Sequence, residues 1–392
     1  MVETLRVKPL EKAVMDEIGM TWHTDADGSS YISEDLVQIT EDAAEAYYDA
    51  ANDLYDMFLG AAQRVIDEQL YLELGIPSNL VGLIEDSWDK KDLHLYGRFD
   101  LAGGLDGLPI KLIEFNADTP TGVFETSIIQ WALLKSNGMD ETSQFNNVHE
   151  MLQENFRRLI TRDKPLEEFK ERYGGEKLLL SSVGGLPEDE GTVRYLQRVA
   201  HEAGLYTDFC YMHELGFSDE EGVFNKDGQL ADFWFKLYPW EDIAADELEL
   251  TRMLGKMTRS GRTRMLNPAY TLLFQSKGLL KVLFDMFPES PYLLRADFSP
   301  LPGVEQVSKK LFGREGANTT LFAANGNVLG STDGPYEHQK AVYQERAQFP
   351  QDASGRIYQA GVFHVREACG LGFRRGGIIL DDTSKFVGHT VV

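Results

Sequence analysis

Along residues 41–74 apolar side chains recur at steps of three and four: Tyr47, Ala50, Leu54, Phe58, Ala61 and Val65. That spacing predicts one amphipathic helix, with Thr40 placed to cap it and Gly75 and Pro77 to end it. The helix reads as scaffold. A different pattern follows in 95–102 and 109–116, two short runs on either side of the turn sequence GGLDG at 103–107. Together they predict a β-hairpin around a glycine-rich turn. Helices are expected again over 120–135 and over 192–203, the second ending at Gly204. Strand-like runs occupy 231–238, 318–324 and 328–331, with Gly326 and Asn327 between the last two. Strands and helices alternate without a short repeat, so the chain reads as an α/β or α+β enzyme-like fold and not as a solenoid. No linker or low-complexity tract divides it.

Composition agrees with a folded chain. Of 392 residues, 43% are hydrophobic, and 22 Phe, 16 Tyr and 5 Trp supply apolar surface to offset chain entropy despite a net charge of -25. The length fits two to three domains at ~150 residues each, or one large unit. Binding to phosphate backbones needs clustered cations, so the acidic excess argues against nucleic acid and anionic membranes as partners. No run approaches the roughly 18–20 apolar residues of a membrane span, and MVETLRVKPLEKAV lacks the apolar core of a secretion signal. A cytoplasmic location is expected. Cys210 and Cys369 have no metal-ligand spacing and read as buried, reduced thiols.

The charge is also segregated. Residues 1–60 hold fourteen acids against three bases, whereas 251–315 hold eleven bases against five acids. A local basic excess fits a bound polyanion such as a nucleoside triphosphate, or else Lys/Arg-rich helix faces that pair with acids elsewhere.

The hairpin carries the most informative chemistry. Alternation along a strand puts Arg98 and Asp100 on one face, and Glu114 and Asn116 likewise share a face. If the register places both pairs on the same side, an arginine, two carboxylates and a carboxamide converge. Mg²⁺ takes such oxygen ligands beside phosphates. A solvent-facing polar strand face is the alternative, although Leu112, Ile113 and Phe115 make the strand partly buried. The next residues, Ala117 to Gly122, offer hydroxyls and helix N-terminal amides to an anion, or plain helix capping by Thr119 or Thr121.

Taken in order, several blocks resemble one family. Tyr-Gly-Arg98-Phe-Asp100, Ile-Glu114-Phe-Asn116-Ala-Asp-Thr-Pro and Phe-Lys236-Leu-Tyr-Pro-Trp240-Glu241 resemble the synthetase domain of glutathionylspermidine synthase, an ATP-grasp acid–amine ligase. Gln-Ser-Lys277, Lys309-Lys-Leu-Phe-Gly-Arg314-Glu-Gly316-Ala-Asn318, Tyr343-Gln344 and Gly370-Leu-Gly-Phe-Arg374 extend the resemblance from about residue 20 to the last residue. The resemblance implies an ATP-grasp fold with a pre-ATP-grasp-like part over approximately 1–200, holding hairpin 95–116, and a nucleotide-binding part over approximately 201–392. It implies Asp100, Glu114 and Asn116 as Mg²⁺ ligands. Arg98 would contact the transferred phosphate or activated carboxylate, and Arg374 would lie near the reacting phosphoryl group. Lys277 and Lys309 would hold ATP phosphates. Arg314 and Gly316 belong to the loop 313–318 expected over the triphosphate, its backbone N–H groups donating to oxygens. Tyr343 and Gln344 would lie at the adenine.

The activity implied is amide formation through an acyl phosphate, between a small-molecule carboxylate and an amine, with a polyamine as one candidate. Departures are also visible. The family's bifunctional members carry an amidase with a nucleophilic cysteine, and the first cysteine here is Cys210, so that amidase is expected to be absent. Asp-Thr-Pro-Thr replaces a serine-containing loop, and Leu237 stands at a threonine position of the family. Both leave the acid substrate open. Thr119, Thr121 and Glu188 are candidates for substrate contact, although the run Glu188-Asp189-Glu190 also suits a solvated helix N-terminus. Competing functions are a nucleotide-binding regulatory protein or pseudo-enzyme with a degenerate pocket, and a small-molecule kinase on the same fold.

Overall fold

The structure, a computed structural model, describes residues 1–161 and 177–392. Its centre is a five-stranded antiparallel sheet in the order Lys385–Val387, Glu367–Gly376, Ile357–Val365, Gly97–Ala102, Lys111–Asn116. The last two strands are the expected hairpin. One sheet thus joins a strand pair from early in the chain to three strands from its end.

Against one face of this sheet lies helix Glu41–Glu68. Thr40 caps it as expected, its hydroxyl accepting from the Ala43 N–H at 3.2 Å. The helix ends six residues before the expected stop. Gln69 adopts a left-handed conformation (φ 55°) and a short 3₁₀ turn Leu70–Leu72 follows, so the apolar spacing carries on past the α-helix. Its buried stripe, from Tyr47 to Val65, meets the apolar face of the hairpin. Phe99 and Phe115 are direct cross-strand partners whose rings stack at 3.8 Å, and Phe58 packs edge-on against both. Burying one such side chain contributes ~1.5–3 kcal/mol. This packing fixes which face of the hairpin turns away from the core.

A four-stranded parallel sheet, Arg264–Leu266, Phe233–Leu237, Lys177–Ser182 and Tyr206–Tyr211, flanks the centre. Helix Pro187–Glu202 packs on it, starting five residues before the expected boundary with Pro187 in its first turn. A second five-stranded antiparallel sheet, Ala296–Asp297, Ala341–Glu345, Gln306–Lys310, Thr320–Phe322 and Val328–Ser331, closes the other side. The helix expected over 120–135 opens as a π-helical turn, Glu125–Ile129, and continues as Gln130–Ser136. The division expected near residue 200 does not coincide with a sheet boundary, because Lys177–Ser182 and Tyr206–Tyr211 pair across it. Both cysteines are buried and free. Among the described residues no helix is long and apolar enough to cross a membrane.

Candidate active site

The hairpin register settles the geometry that alternation left open. Arg98 pairs with Asn116 and Asp100 with Glu114, so all four side chains share the face opposite the aromatic core. The Arg98 guanidinium grips both Asp100 oxygens, at 2.6 and 3.0 Å, and donates to the Thr121 carbonyl at 2.7 Å. Its methylenes lie over Gly361 on the next strand, where a Cβ would come within 3.1 Å of them. Directly beyond Asp100 the register slips: Leu101 pairs with Leu112, leaving Ile113 as an extra residue. This bulge turns the Ile113 carbonyl out of the ladder. The Lys309 ammonium donates to it at 3.0 Å and to Gln344 Oε1 at 2.7 Å, while Gln344 Nε2 donates to the Leu112 carbonyl at 2.9 Å.

Cations surround the two carboxylates. Lys277 lies 2.9 Å from Glu114 and also donates to the Gly313 carbonyl at 2.6 Å. Burial alone would raise the Glu114 pKa, but Lys277, Lys309 and Arg98 outweigh it and hold the group down at about 2. Lys309 is shifted the other way. Its burial, aided by Lys277, brings its ammonium down to about 8 against the pull of Glu114 and Asp100.

Two joined chambers, of about 730 and 500 Å³, open on this cluster. Asp100, Glu114, Glu315, Gln359 and Arg374 line both. The larger chamber adds Lys277, Lys309, Gly316 and Gln344 and an apolar wall that includes Ile357, Ile378 and Leu380. The smaller adds Arg98, Asn116, Thr119, Thr121, Glu188 and Arg314, with further acids Asp189, Asp242 and Asp382. Arg314 ties the 313–318 loop to this second chamber, donating to Thr119 Oγ1 and to Glu241 Oε1, both at 2.7 Å. Gly316, at φ +67°, lies so close to the Leu380 backbone that a Cβ would stand 2.3 Å from its carbonyl oxygen.

Every residue given a metal, nucleotide, substrate or catalytic role from the sequence lines one chamber or both, except Tyr343. Strand alternation turns Gln344 into the cleft and Tyr343 to the opposite face, where its ring lies 6.5 Å from Phe322. Asn116 also departs from expectation. The Gln275 oxygen accepts from the Ala117 and Asp118 N–H groups at 3.0 and 3.2 Å, so its amino group must face Asn116 Oδ1, at 3.3 Å. Asn116 then presents its own amino group to Asp100 and Glu114, at 3.2 and 3.3 Å. As placed it is a donor to the carboxylates, and serving as an oxygen ligand requires its amide to turn over.

Among the described residues no three His, Cys, Asp or Glu side chains gather as a metal cage. Mg²⁺ needs none, since it takes one or two carboxylates with water and phosphate. Asp100 and Glu114 fit that pattern, with Arg98 and Lys277 as the charges an entering cation would face. The sequence reading missed Gln275, whose role depends on contacts over a hundred residues away, and Gln359, whose polar side chain sits in a largely apolar strand. Among the acids, Asp242 and Asp382 carried no motif to mark them, and Glu315 lay in the 313–318 block without a role assigned to it.

A family model described as glutathionylspermidine synthase preATP-grasp matches residues 2–392. A Haemophilus influenzae protein described as "Putative acid--amine ligase" is 31% identical over 94% of this chain and 92% of its own. Trypanothione synthetase of Crithidia fasciculata is 24% identical over 86% of this chain. The bifunctional glutathionylspermidine synthetase/amidase of Escherichia coli is 25% identical over 83%. The matched regions cover 53% and 54% of those two longer relatives. A solved glutathione synthetase-like effector from Globodera pallida superimposes with a TM-score of 0.55 at 11% identity, over 99% of this chain and 100% of that one, which establishes a shared fold.

Proposed function

The chain belongs to the glutathionylspermidine synthase preATP-grasp family, and on that premise we propose that it is an ATP- and Mg²⁺-dependent ligase that joins a carboxylate to a primary amine through an acyl phosphate. One observation carries this reading. Two carboxylates stand between arginine on one side and two lysines on the other, at the junction of two chambers. The larger chamber, with its apolar wall and Lys277 and Lys309 at its inner end, suits ATP with the triphosphate pointing to the junction. The smaller one, with Arg98, Arg374 and Arg314 set among acids, suits an acid and an amine together.

In the first step the substrate carboxylate attacks the γ-phosphorus and ADP departs. Arg98 and Arg374 orient that carboxylate, and Lys277 and Lys309 neutralise the phosphate oxygens as charge moves onto the leaving group. Asp100 and Glu114 would hold Mg²⁺, which when bound supplies further neutralisation of those oxygens. Arg314, through Thr119 and Glu241, holds the loop closed over the triphosphate. In the second step the amine attacks the acyl carbon and phosphate leaves. Names of the relatives suggest glutathione as the first acid to test and spermidine as the first amine. Such substrates fit a cytoplasmic enzyme.

Asp100→Asn tests the reading. It removes one carboxylate charge and the grip of Arg98 with little change in shape. Turnover of ATP with an acid and an amine should fall by ~10²-fold or more, the scale of losing one preorganised charged group. Unchanged turnover with an unchanged Mg²⁺ requirement would exclude Asp100 from the site.

A further inference from the structure

The ligase reading leaves the buried carboxyl group of Glu125 without a task. Glu125 is completely buried at the start of the π-helical turn Glu125–Ile129. Its Oε1 accepts from the Trp22 indole N–H at 2.8 Å, while Oε2 has no hydrogen-bond partner. An unpaired buried carboxyl oxygen costs stability, so its retention asks for a function. The group that separates it from the cleft is Tyr31, which lines the smaller chamber and whose hydroxyl approaches the Glu125 carboxyl. Glu188 faces both residues from helix Pro187–Glu202, and Arg98 and Arg374 face Tyr31 from the central sheet. On the remaining side, Arg198 lies over the ring of the neighbouring Phe124.

We propose that Glu125, acting through the Tyr31 hydroxyl, takes up the proton that the substrate amine must lose before it attacks the acyl phosphate. The inference rests on the ligase reading and deepens it. At neutral pH an alkylamine arrives as an ammonium ion, drawn by Glu188 and the other acids of the smaller chamber, and an ammonium nitrogen has no lone pair to attack with. The phenol can accept from the ammonium and donate to Glu125 Oε2 in one concerted hand-over, remaining neutral at the end. Carboxylate and ammonium become carboxylic acid and free amine. The free amine then forms the C–N bond as the C–OPO₃ bond breaks, and its second proton leaves with the phosphate as HPO₄²⁻. Burial, then the Glu188 charge, push Glu125 up to about 7, against the Trp22 hydrogen bond and the nearby Tyr31 hydroxyl. The carboxyl group is therefore poised to take and return a proton near neutrality.

The test compares two nucleophiles that differ in charge. Hydroxylamine, largely uncharged at neutral pH, first identifies the acid by hydroxamate formation across a panel of short peptides headed by glutathione. Wild type, Glu125→Gln and Tyr31→Phe are then assayed with that acid, ATP, Mg²⁺ and either hydroxylamine or spermidine. The inference predicts that both variants lose ~10²-fold of spermidine-dependent kcat and keep the wild-type rate of hydroxamate formation. It also predicts that wild-type activity with spermidine rises with pH through about 7, a limb that disappears in Glu125→Gln. Equal losses with both nucleophiles would make the pair structural and overturn the inference, as would an unchanged spermidine rate. If Glu125→Gln does not fold, Tyr31→Phe decides by the same comparison. Failure of the wild type to form a hydroxamate with any acid would remove the ligase reading itself, a separate result from either.

Discussion

Lys309 shows how burial and function are balanced in one side chain. Its ammonium is held by a backbone carbonyl and by Gln344, with no carboxylate of the described residues within ion-pair distance, and its burial brings it down to about 8. Below that pH it is a cation awaiting an anion; above it the charge is lost. A bound triphosphate favours the charged form, so ATP binding at pH 8–9 should take up a proton and its affinity should fall as pH rises through about 8. Calorimetry in two buffers of different ionisation enthalpy measures this uptake, and Lys309→Met should abolish it. Uptake unchanged in that variant would assign the proton elsewhere. Neither the shift nor the partners were legible in the sequence, where Lys309 and Lys310 look alike. The bulge at Ile113 supplies the difference, and a bulge leaves no mark in a run such as Lys-Leu-Ile-Glu-Phe-Asn.

At the scale of elements, the parts governed by local periodicity were readable. The long helix, its Thr40 cap and the hairpin follow from spacing and turn residues, and the shared polar face of the hairpin follows from alternation. What depended on contacts between distant elements was not. The side of the strand that Tyr343 faces, the amide orientation fixed by Gln275 and the buried acid at Glu125 all arise from packing partners far away in sequence. The loop 313–318 belongs partly to each class: the family resemblance implied it, but only its packing on Leu380 explains why Gly316 must lack a Cβ. Gly316→Ala adds about 1–2 kcal/mol of left-handed strain as well as a backbone clash, and should weaken ATP binding roughly tenfold or more. Gly303→Ala, with a similar φ of +76° and open space around it, is the control that should leave ATP affinity unchanged. Equal affinities for both variants would detach the loop from nucleotide binding.

Across the whole molecule the segregated charge has two explanations at once. Several bases of the 251–315 region answer acids at the surface, as in Lys256 with Asp219, Arg259 with Asp86 and Lys281 with Asp285. Lys277, Lys309 and Arg314 instead turn inward to the cleft. The acidic remainder, at -25 overall, should attract a polycationic amine, so the KM for spermidine should rise with added salt as exposed charges are screened beyond ~10 Å at 0.1 M. A KM independent of ionic strength would reduce that acidity to a matter of solubility. The central claim, that the two chambers join an acid to an amine at the expense of ATP, is tested most directly by counting products. ADP and any condensed product are quantified together, by coupled assay and mass spectrometry, with ATP, Mg²⁺, short peptides including glutathione, and polyamines. The account predicts ADP in equal amount to an amide whose mass is that of acid plus amine less water, both dependent on Asp100. ADP without a condensed product, or a phosphorylated acid that accumulates and never yields amide, would contradict it.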